Sequence, residues 1–376
     1  MNFTRTANNK ARVCFVSLNS SHLLFHESNG SFMGGAELQQ HLIGSELSRR
    51  GRGVTFITRK PEAAEPCRCK DIDVITTFRQ SDGWPVLRFF YPRTYTILKA
   101  LYSVDTDVYY VRGSSFILAL VVLVAKWHKR AVVFCGAYDL DFEPKKIQLP
   151  SPRDKWMYLW GLKQVDVVIA QNETQQRLAQ DNLGITAEKI HNCYPAVSGH
   201  FSLNPEALWV GNFRDTKNPE AYLALAKNIP EFRFNMIGGK PGQRDFQEIV
   251  GAAKKIANLN YLGFQPLEET DKYFEKVKLF VNTSEYEGFP NTFLQAWSRG
   301  VPVISFVDPD GLITKNDLGI VVKNLNEMTD CARAILNNEL VFSNENIRRY
   351  FLENHLVEKI VDKYEVIFEK ISQSKC

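Results

Sequence analysis

One segment, residues 283–306, brings acidic, amide and glycine residues together where a predicted strand gives way to a helix. Its loop carries Glu287, and Asn291 and Thr292 open the predicted helix. A helix start offers backbone N–H groups without intrahelical partners and the positive end of the helix dipole, so it favours a phosphate group. Glu287 could accept hydrogen bonds from sugar hydroxyls, and Gln295 lies one helical turn beyond Asn291. The pattern predicts a ligand that carries both phosphate and hydroxyl groups.

The rest of the chain repeats one arrangement of strands and helices in two halves. In the first half, residues 36–50 form a predicted helix that ends at Gly51, and five apolar runs predict strands at 13–18, 54–58, 108–111, 131–134 and 165–170. The second half restarts the pattern, with strands at 207–211, 232–237, 260–263, 279–282, 301–306 and 319–322. Strands that alternate with helices predict parallel sheets covered on both faces, so the fold class is α/β with two Rossmann-like domains.

The length of 376 residues fits two domains of ordinary size. Ser, Gly, Asn and Pro cluster at 197–205, which predicts the linker there. We therefore expect an N-terminal domain at 1–200, a C-terminal domain at 201–354 and a final helical segment at 355–376. Ligands of open parallel sheets bind beyond the carboxyl ends of the strands. The predicted loops at those ends finish at Gly35, Lys217, Gly239 and Glu287.

The segment 283–306 resembles the signature of retaining glycosyltransferases of family 4, which have the GT-B fold. That signature is a Glu, seven residues, a second Glu, and a helix of small residues ending in Gly-x-Pro-Val. Glu287 matches the first acid, and Ala296 and residues 300–303 match the end. Gln295 stands at the second Glu, which binds the ribose hydroxyls of the nucleotide in the family. A Gln keeps an acceptor oxygen but loses a charge-assisted bond, so we expect donor binding to be retained and weakened.

Residues 209–217 resemble the loop whose Arg and Lys neutralise the donor diphosphate in the family. Lys217 fits the Lys position, Asn212 occupies the Arg position, and Arg214 is close enough to substitute. Taken alone, these cations are typical of a solvated surface. The presence of the Glu287 loop favours the binding interpretation.

Glycine-containing loops complete the predicted donor site. Gly34 and Gly35 resemble the glycine-rich loop after the first strand, where the donor phosphate or the acceptor approaches the backbone closely, and a structural tight turn is the alternative. Gly239 resembles the loop that holds the nucleotide base, with an ordinary strand end as the alternative. Gly288 and Phe289, just before the signature helix, are assigned to donor binding as well.

The family often has an active-site His in the first domain, near the reacting sugar. The corresponding residues 134–141 contain no His, and Asp139 or Tyr138 could take that place, with a surface acid as the alternative. Asp139 and Asp141 have the spacing of an Asp-x-Asp metal motif. This fold generally works without a metal, however, so the resemblance implies neither a metal nor another cofactor.

The resemblance also implies a reaction. It describes a transferase that moves a sugar from a UDP- or GDP-sugar to a glycan or lipid-linked acceptor, with retention, in bacterial surface polysaccharide synthesis. Lys217, Arg214 and the helix start would meet the leaving diphosphate, and Glu287 would hold the sugar ring. In GT-B proteins the parallel sheets of the two domains face each other across a cleft. The segment 355–376 is expected to pack back on the first domain.

Two other functions stay open. Gln295 and Asn212 depart from the family pattern, which is compatible with a GT-B epimerase or phosphorylase that acts on a sugar nucleotide. The same departures are compatible with a non-catalytic chain that binds a sugar nucleotide and supports a catalytic partner.

Composition indicates the class of protein and the compartment in which we expect it. With 44% hydrophobic and 23% charged residues, the chain is predicted to be globular. Its first residues predict no signal peptide, and the most apolar run, 116–125, is shorter than the roughly 20 residues of a membrane span, so we expect a buried helix there. Seven scattered cysteines, Cys67 and Cys69 among them, predict reduced thiols in the cytoplasm and no zinc site.

Charge is distributed unevenly. Residues 1–200 hold 25 Lys/Arg and 18 Asp/Glu, a net charge of +7, whereas residues 201–376 hold 21 and 24, a net charge of −3. The basic half and the aromatic patch 156–160 predict peripheral contact with the inner face of the membrane, and a merely uneven surface is the alternative. Basic residues do not follow a nucleic-acid motif, so nucleic acid is not an expected partner.

Overall fold

The computed structural model describes residues 10–25, 34–62, 71–84, 87–199, 201, 203–239 and 246–375. The chain forms two compact units, Met1–His191 with Val357–Cys376, and Asn192–Leu356. The sequence analysis placed the division near residues 200 and 354. The segment after His191 belongs to the second unit because Tyr194 pairs with Leu356 in a parallel bridge. Cys67, Cys69 and residues 200 and 202 of the predicted linker lie outside the described residues.

The described part of the first unit contains a parallel sheet of seven strands. They are β1 Val13–Val16, β2 Val54–Thr58, β3 Asp73–Thr76, β4 Val108–Arg112, β5 Ala131–Cys135, β6 Val167–Ala170 and β7 Ala187–Lys189. Their spatial order is β3-β2-β1-β4-β5-β6-β7. The central strands β1, β4 and β5 are buried along their whole length, which explains why they read as continuous apolar runs.

Helices connect these strands on both faces. They are α1 Ser21–Leu24, α2 Gly35–Arg49, α3 Tyr95–Ser103, α4 Ile117–Trp127, α5 Pro152–Leu162 and α6 Glu173–Leu183. The helix α4 is the predicted buried helix, and its side chains join the core beneath β4 and β5. Asn172 caps α6 by accepting the Gln175 N–H at 2.7 Å. No helix in the described ranges combines the length and apolar character that crossing a bilayer requires.

The second unit repeats the architecture around a six-stranded parallel sheet in its described residues. The strands are β8 Asn204–Gly211, β9 Arg233–Gly238, β10 Leu259–Gly263, β11 Val277–Asn282, β12 Val303–Ser305 and β13 Gly319–Val321, in the order β10-β9-β8-β11-β12-β13. The helices are α7 Pro219–Asn228, α8 Phe246–Ala253, α9 Leu267–Phe274, α10 Asn291–Trp297, α11 Leu312–Lys315, α12 Leu325–Leu336 and α13 Asn344–Asn354. The strands β8 and β11 are neighbours, so their carboxyl ends meet at one edge.

The last helix, α14 Val357–Gln373, packs on α2 and β4 of the first unit. Its apolar face is buried, and its charged face meets two arginines that follow α2. Arg50 pairs with Glu365 over 2.6 Å, and the nearly buried Arg52 pairs with both Glu365 and Glu369. Burial of Glu365 opposes its ionisation, but the hydrogen bonds from Arg52 and Arg50 outweigh that effect and lower its pKa.

The α/β class with two parallel-sheet domains is confirmed, and each predicted strand is present with ends that differ by up to three residues. The strand predicted at 301–306 is shorter because Pro302 has no N–H for a ladder hydrogen bond. The short edge strands β3 and β7 were not predicted, since neither presents a long apolar run.

The predicted aromatic patch at 156–160 is wrong as one surface. Residues two apart on a helix point about 200° apart, so Trp156 and Tyr158 of α5 cannot share a face. Trp156 is exposed, whereas Tyr158 is fully buried and donates its hydroxyl to the Asp141 carbonyl at 3.0 Å. Only part of that segment is available to a partner.

The arginine contacts of α14 lead to a stability prediction. Arg52→Ala leaves Glu365 and Glu369 without a shared cation, and we expect a loss of about 2 kcal/mol in unfolding free energy. That is below the roughly 3–5 kcal/mol of a fully buried pair, because both carboxylates are partly exposed. Urea denaturation followed by circular dichroism measures the loss. The control Arg49→Ala removes an exposed guanidinium while Glu46 keeps its pair with Arg50, so this variant should lose much less stability. Equal losses in the two variants would contradict the prediction.

Candidate functional site

The loop after β11 is fixed to the loop after β8 by buried hydrogen bonds. Trp209 Nε1, on β8, donates to Thr283 Oγ1 at 2.9 Å, and the Thr283 hydroxyl donates to the Lys217 carbonyl at 2.7 Å. Because β8 and β11 are neighbouring parallel strands, residues 209–217 and 283–290 leave the sheet at the same edge. The sheet therefore brings together the two loops in which the sequence predicted ligand-binding residues.

Lys217 and Glu287 form an ion pair at this edge. The side chain of Glu287 is 6% exposed and that of Lys217 is 25% exposed. A carboxylate this buried needs a partner, and charges interact more strongly here than in water. An anionic ligand that reached Lys217 would share its ammonium group with Glu287, whose oxygens can also accept hydroxyl groups. The pair can thus hold an anion and a hydroxyl-bearing group side by side.

Arg214 and Asn212 lie on the same short loop as Lys217. The Lys217 N–H donates to the Arg214 carbonyl at 2.8 Å, and the Arg214 N–H donates to the Asn212 carbonyl at 2.9 Å. Arg214 is exposed and Asn212 is half-buried. Asn218 ends the turn with a left-handed backbone, φ 45°, and caps α7 through its side chain. The cations of the loop therefore lie immediately before a helix with a fixed start.

Asn291 and Thr292 are the first two residues of α10 and are half-buried. The helix has only seven residues, so its first-turn N–H groups matter more than its dipole. Gly288 and Phe289 are buried in the preceding loop, where the Phe289 ring lies 5.2 Å from the ring of His355. Gly288, Phe289, Asn291 and Thr292 thus lie in the short segment that directly follows Glu287.

Asn192 holds this segment in place. Its Nδ2 donates to the Phe289 carbonyl at 2.8 Å and to Asn291 Oδ1 at 2.9 Å, and the residue is 4% exposed. The Asn192 carbonyl oxygen lies 3.2 Å from His355 Nδ1, and the Tyr194 N–H donates to the His355 carbonyl at 3.0 Å. Residues from both ends of the second unit thus position the loop that carries Glu287.

Gln295 is buried on α10, and its amide nitrogen points into a polar network. Its Nε2 donates to Asp271 Oδ1 at 2.9 Å, and Asp271 also accepts the Tyr194 hydroxyl at 2.8 Å and pairs with Arg299 at 3.2 Å. Burial, together with the nearby Asp271 carboxylate, raises the pKa of Tyr194, so the phenol remains a donor. The amide nitrogen of Gln295 is committed to this network, and its expected ribose contact stays a prediction.

Gly239 follows β9 where the ends of two strands approach closely. Its φ is +73°, and an added Cβ would lie 2.3 Å from the Phe213 ring. At Gly238, with φ +131°, an added Cβ would lie 1.7 Å from the Gly211 carbonyl oxygen. The positive φ angles and these close contacts explain on structural grounds why both positions are glycine. The base-binding role of Gly239 remains a prediction.

In the first unit, Gly34 is the N-cap of α2 and Gly35 is its first residue. Among the described atoms, those nearest to an added Cβ at Gly34 belong to the flexible carboxylate of Glu37. The preceding residues 26–33 lie outside the part of the chain that the structure describes.

Asp139 lies in a turn after β5, where Asn172 Nδ2 donates to its carboxylate at 3.3 Å. Burial raises the pKa of Asp139. The neighbouring Asp141 accepts the N–H groups of Ala137 at 2.7 Å and Tyr138 at 3.1 Å, so its carboxylate faces the backbone. Within the described ranges, no three His, Cys, Asp or Glu side chains gather as a metal site.

Sequence reasoning missed the residues that support the loops. Asn192, Thr283 and Asp271 make their contacts over 24 to 99 positions of sequence. None belongs to a periodic or glycine-rich pattern, so only the folded chain identifies them.

Two successive units, each built on a parallel sheet, define the GT-B class. The structure is similar to sucrose-phosphate synthase from Thermosynechococcus elongatus, with a TM-score of 0.74 and 16% identity over 97% of this chain and 100% of that chain. It is also similar to a Staphylococcus aureus protein, TarM, solved with Fondaparinux, alpha-GlcNAc-glycerol and UDP, with a TM-score of 0.60 and 16% identity over 73% and 58% of the chains. These similarities show the GT-B fold.

Family models match both units. The model "Glycosyltransferase Family 4" matches residues 33–198, and "Glycosyl transferases group 1" matches residues 194–354. The chain belongs to family 4 of the glycosyltransferases. The poly(ribitol-phosphate) alpha-N-acetylglucosaminyltransferase of Staphylococcus aureus is 29% identical over 191 residues, which are 48% of this chain and 38% of that protein. The curated relatives are matched over 21–43% of their own lengths.

The contacts of Asn192 predict a local effect. Asn192→Ala removes two buried hydrogen bonds, so we expect unfolding free energy to fall by about 1–3 kcal/mol. Amide hydrogen exchange measured by mass spectrometry should accelerate in the peptide that covers residues 283–293. The matched variant Asn354→Ala loses one exposed bond within α13 and should leave that peptide unchanged. Unaltered exchange in Asn192→Ala would show that the side chain does not hold the loop.

The raised pKa of Asp139 predicts a pH effect. The folded chain binds this proton more tightly than the unfolded chain, so the carboxylate disfavours folding above its ordinary pKa of about 4. Asp139→Asn should therefore raise stability at pH 7, and the gain should shrink as the pH falls through the raised folded pKa. Urea titrations at several pH values measure it. Asp181→Asn on α6 is the exposed control, and a destabilised Asp139→Asn at pH 7 would refute the argument.

Proposed function

We propose that this family-4 glycosyltransferase moves a sugar from a UDP- or GDP-sugar to a glycan or lipid-linked acceptor in bacterial surface polysaccharide synthesis. The proposal depends mainly on the Lys217–Glu287 pair, a cation and a hydroxyl acceptor held together at one sheet edge. The exposed cation of Arg214 and the helix start at Asn291 and Thr292 extend the same edge.

The proposed reaction assigns a role to each of these groups. The bond between the anomeric carbon and the diphosphate oxygen breaks, and negative charge develops on the leaving oxygen. Lys217 and Arg214 stabilise that charge, while Glu287 accepts hydrogen bonds from the sugar hydroxyls. A new bond forms between the anomeric carbon and the acceptor oxygen, whose proton passes to the leaving diphosphate. We assign retention through attack on the face that the diphosphate leaves, without an enzyme nucleophile.

The remaining predicted contacts surround this reaction. Asn212, Gly239, Gly288, Phe289 and Gln295 are proposed donor contacts on the second unit. Gly34, Gly35 and Asp139 are proposed contacts on the first unit.

The relatives support the donor and acceptor classes. The Staphylococcus aureus relative is named for transfer of N-acetylglucosamine to poly(ribitol-phosphate), and the structural neighbour was solved with UDP. A nucleotide-sugar donor and a surface polymer or lipid-linked precursor fit both names. We accordingly propose that the enzyme acts in the cytoplasm, at the inner face of the membrane where such a precursor would lie.

The proposal predicts that Lys217→Ala lowers kcat/KM for transfer by about 100-fold, because the leaving diphosphate loses a preorganised cation. Transfer is assayed with UDP- and GDP-sugars in the presence of EDTA. Wild-type activity should persist there, since Lys217 and Arg214 supply the positive charge that a metal would provide. Lys217→Arg should recover part of the loss, and the exposed Lys227→Ala on α7 should match wild type.

Thermal denaturation of each variant distinguishes a loss of stability from a loss of catalysis. This control is needed because Lys217→Ala also leaves the buried side chain of Glu287 without its partner. Equal kcat/KM in Lys217→Ala and wild type would contradict the assigned cation. Because the amide of Gln295 is buried in a hydrogen bond to Asp271, the same assays also test two alternative functions. Donor binding without transfer would favour a non-catalytic partner, and donor turnover without acceptor would favour an epimerase.

A further inference from the structure

Residues 84 and 87–102 of the first unit expose neighbouring large apolar side chains. Trp84 is 80% exposed, and Phe90 and Tyr91 are each 67% exposed. Leu87 and Tyr95 are also mostly exposed. Single exposed apolar residues are ordinary, but several together mark a surface that meets a partner or a membrane.

Local backbone hydrogen bonds and a ring contact connect the residues that carry these side chains. The N–H groups of Leu87 and Arg88 donate to the Trp84 carbonyl at 3.0 and 2.8 Å, and the Tyr91 N–H donates to the Leu87 carbonyl at 3.1 Å. The helical turn ends at Tyr91, whose backbone is extended (φ −132°, ψ 128°), so its neighbours on this surface are identified by exposure and ring contacts. The rings of Tyr91 and Tyr95 are 5.7 Å apart, which carries the surface into α3.

The helix α5 adds the exposed part of the predicted patch. The guanidinium carbon of Arg153 lies 3.4 Å from the centroid of the Phe89 ring. Trp156 follows Arg153 by three residues on the same helix face and is 66% exposed. The surface therefore joins two elements, and we name it the aromatic–basic surface: Trp84, Leu87, Arg88, Phe90, Tyr91, Arg93, Tyr95, Lys99, Arg153 and Trp156.

All charged side chains in the longer segment of this surface, residues 83–104, are positive. Residues 83–104 contain Arg88, Arg93 and Lys99 and no Asp or Glu. Arg88 and Lys99 are exposed. A lipid headgroup layer with negative charge complements both features, because Trp and Tyr rings favour the interface and Lys and Arg side chains are attracted to anionic headgroups.

We propose that the aromatic–basic surface docks the first unit on a bilayer that contains anionic lipid. Trp84, Phe90, Tyr91 and Trp156 enter the headgroup region, and Arg88 and Lys99 contact the anionic headgroups. The surface belongs to the first unit, whereas Lys217 and Glu287 belong to the second, so docking does not require the transfer reaction. The aromatic–basic surface includes Trp156 of the patch that the sequence suggested for membrane contact and adds residues 84 and 87–99 to it.

Co-sedimentation with vesicles tests the proposal. We expect full-length protein to pellet with phosphatidylglycerol–phosphatidylcholine vesicles at low salt, to be released at high salt, and to remain soluble with phosphatidylcholine alone. Two double variants, Phe90→Ser with Tyr91→Ser and Arg88→Gln with Lys99→Gln, should each weaken binding by about 10-fold or more. Val341→Ser, an equally exposed site on the second unit, is the matched control.

Tryptophan fluorescence places the contact at the named residues. Anionic vesicles should shift wild-type emission to the blue, and Trp84→Phe should reduce the shift while binding persists. Circular dichroism and transfer to a soluble acceptor should be unchanged in the double variants, which separates this test from that of the catalytic site. Absence of sedimentation, equal binding by all variants, or self-association that the same variants abolish would each overturn the proposal.

Discussion

A buried carboxylate that requires a cation is the constraint on which the second unit's chemistry depends. The side chain of Glu287 is almost inaccessible to water, and Lys217 is the cation that pairs with it. The pair forms only if β8 and β11 are neighbours and their loops are held in register. Trp209 and Thr283 provide that register through hydrogen bonds inside the sheet edge. Binding and structure are therefore inseparable here, because the groups that would grip an anion also satisfy each other.

The sequence was informative where a local pattern sets the structure. Continuous apolar runs located the central strands, and a strand, an acidic loop and a helix in succession located Glu287 and Asn291. Gln295 shows the limit of this reasoning. Helical spacing places it one turn from Asn291, but the direction of its amide is set by Asp271, which is 24 residues away. Asn192 is a clearer case, since its partners at Phe289 and Asn291 are brought near only by the complete fold of the unit.

The aromatic residues of the first unit show the same difference between what a local sequence pattern predicts and what the complete fold decides. Composition alone indicated that the first half combines positive charge with aromatic rings. The segment 156–160 could not be one surface, because a helix distributes adjacent side chains around its axis and sends Tyr158 into the core. Trp84, Phe90, Tyr91 and Tyr95 are exposed, because these rings lie outside the buried sheet. Exposure, unlike composition, is a property of the fold.

The placement of α14 determines the order in which the protein can be completed. Its partners Arg50 and Arg52 are translated before the unit Asn192–Leu356, whereas Glu365 and Glu369 are translated after it. The unit Asn192–Leu356 is continuous in sequence and can fold as soon as it emerges. The first unit begins before the second but is completed after it, and until then the surface of α2 that receives α14 lacks its covering helix.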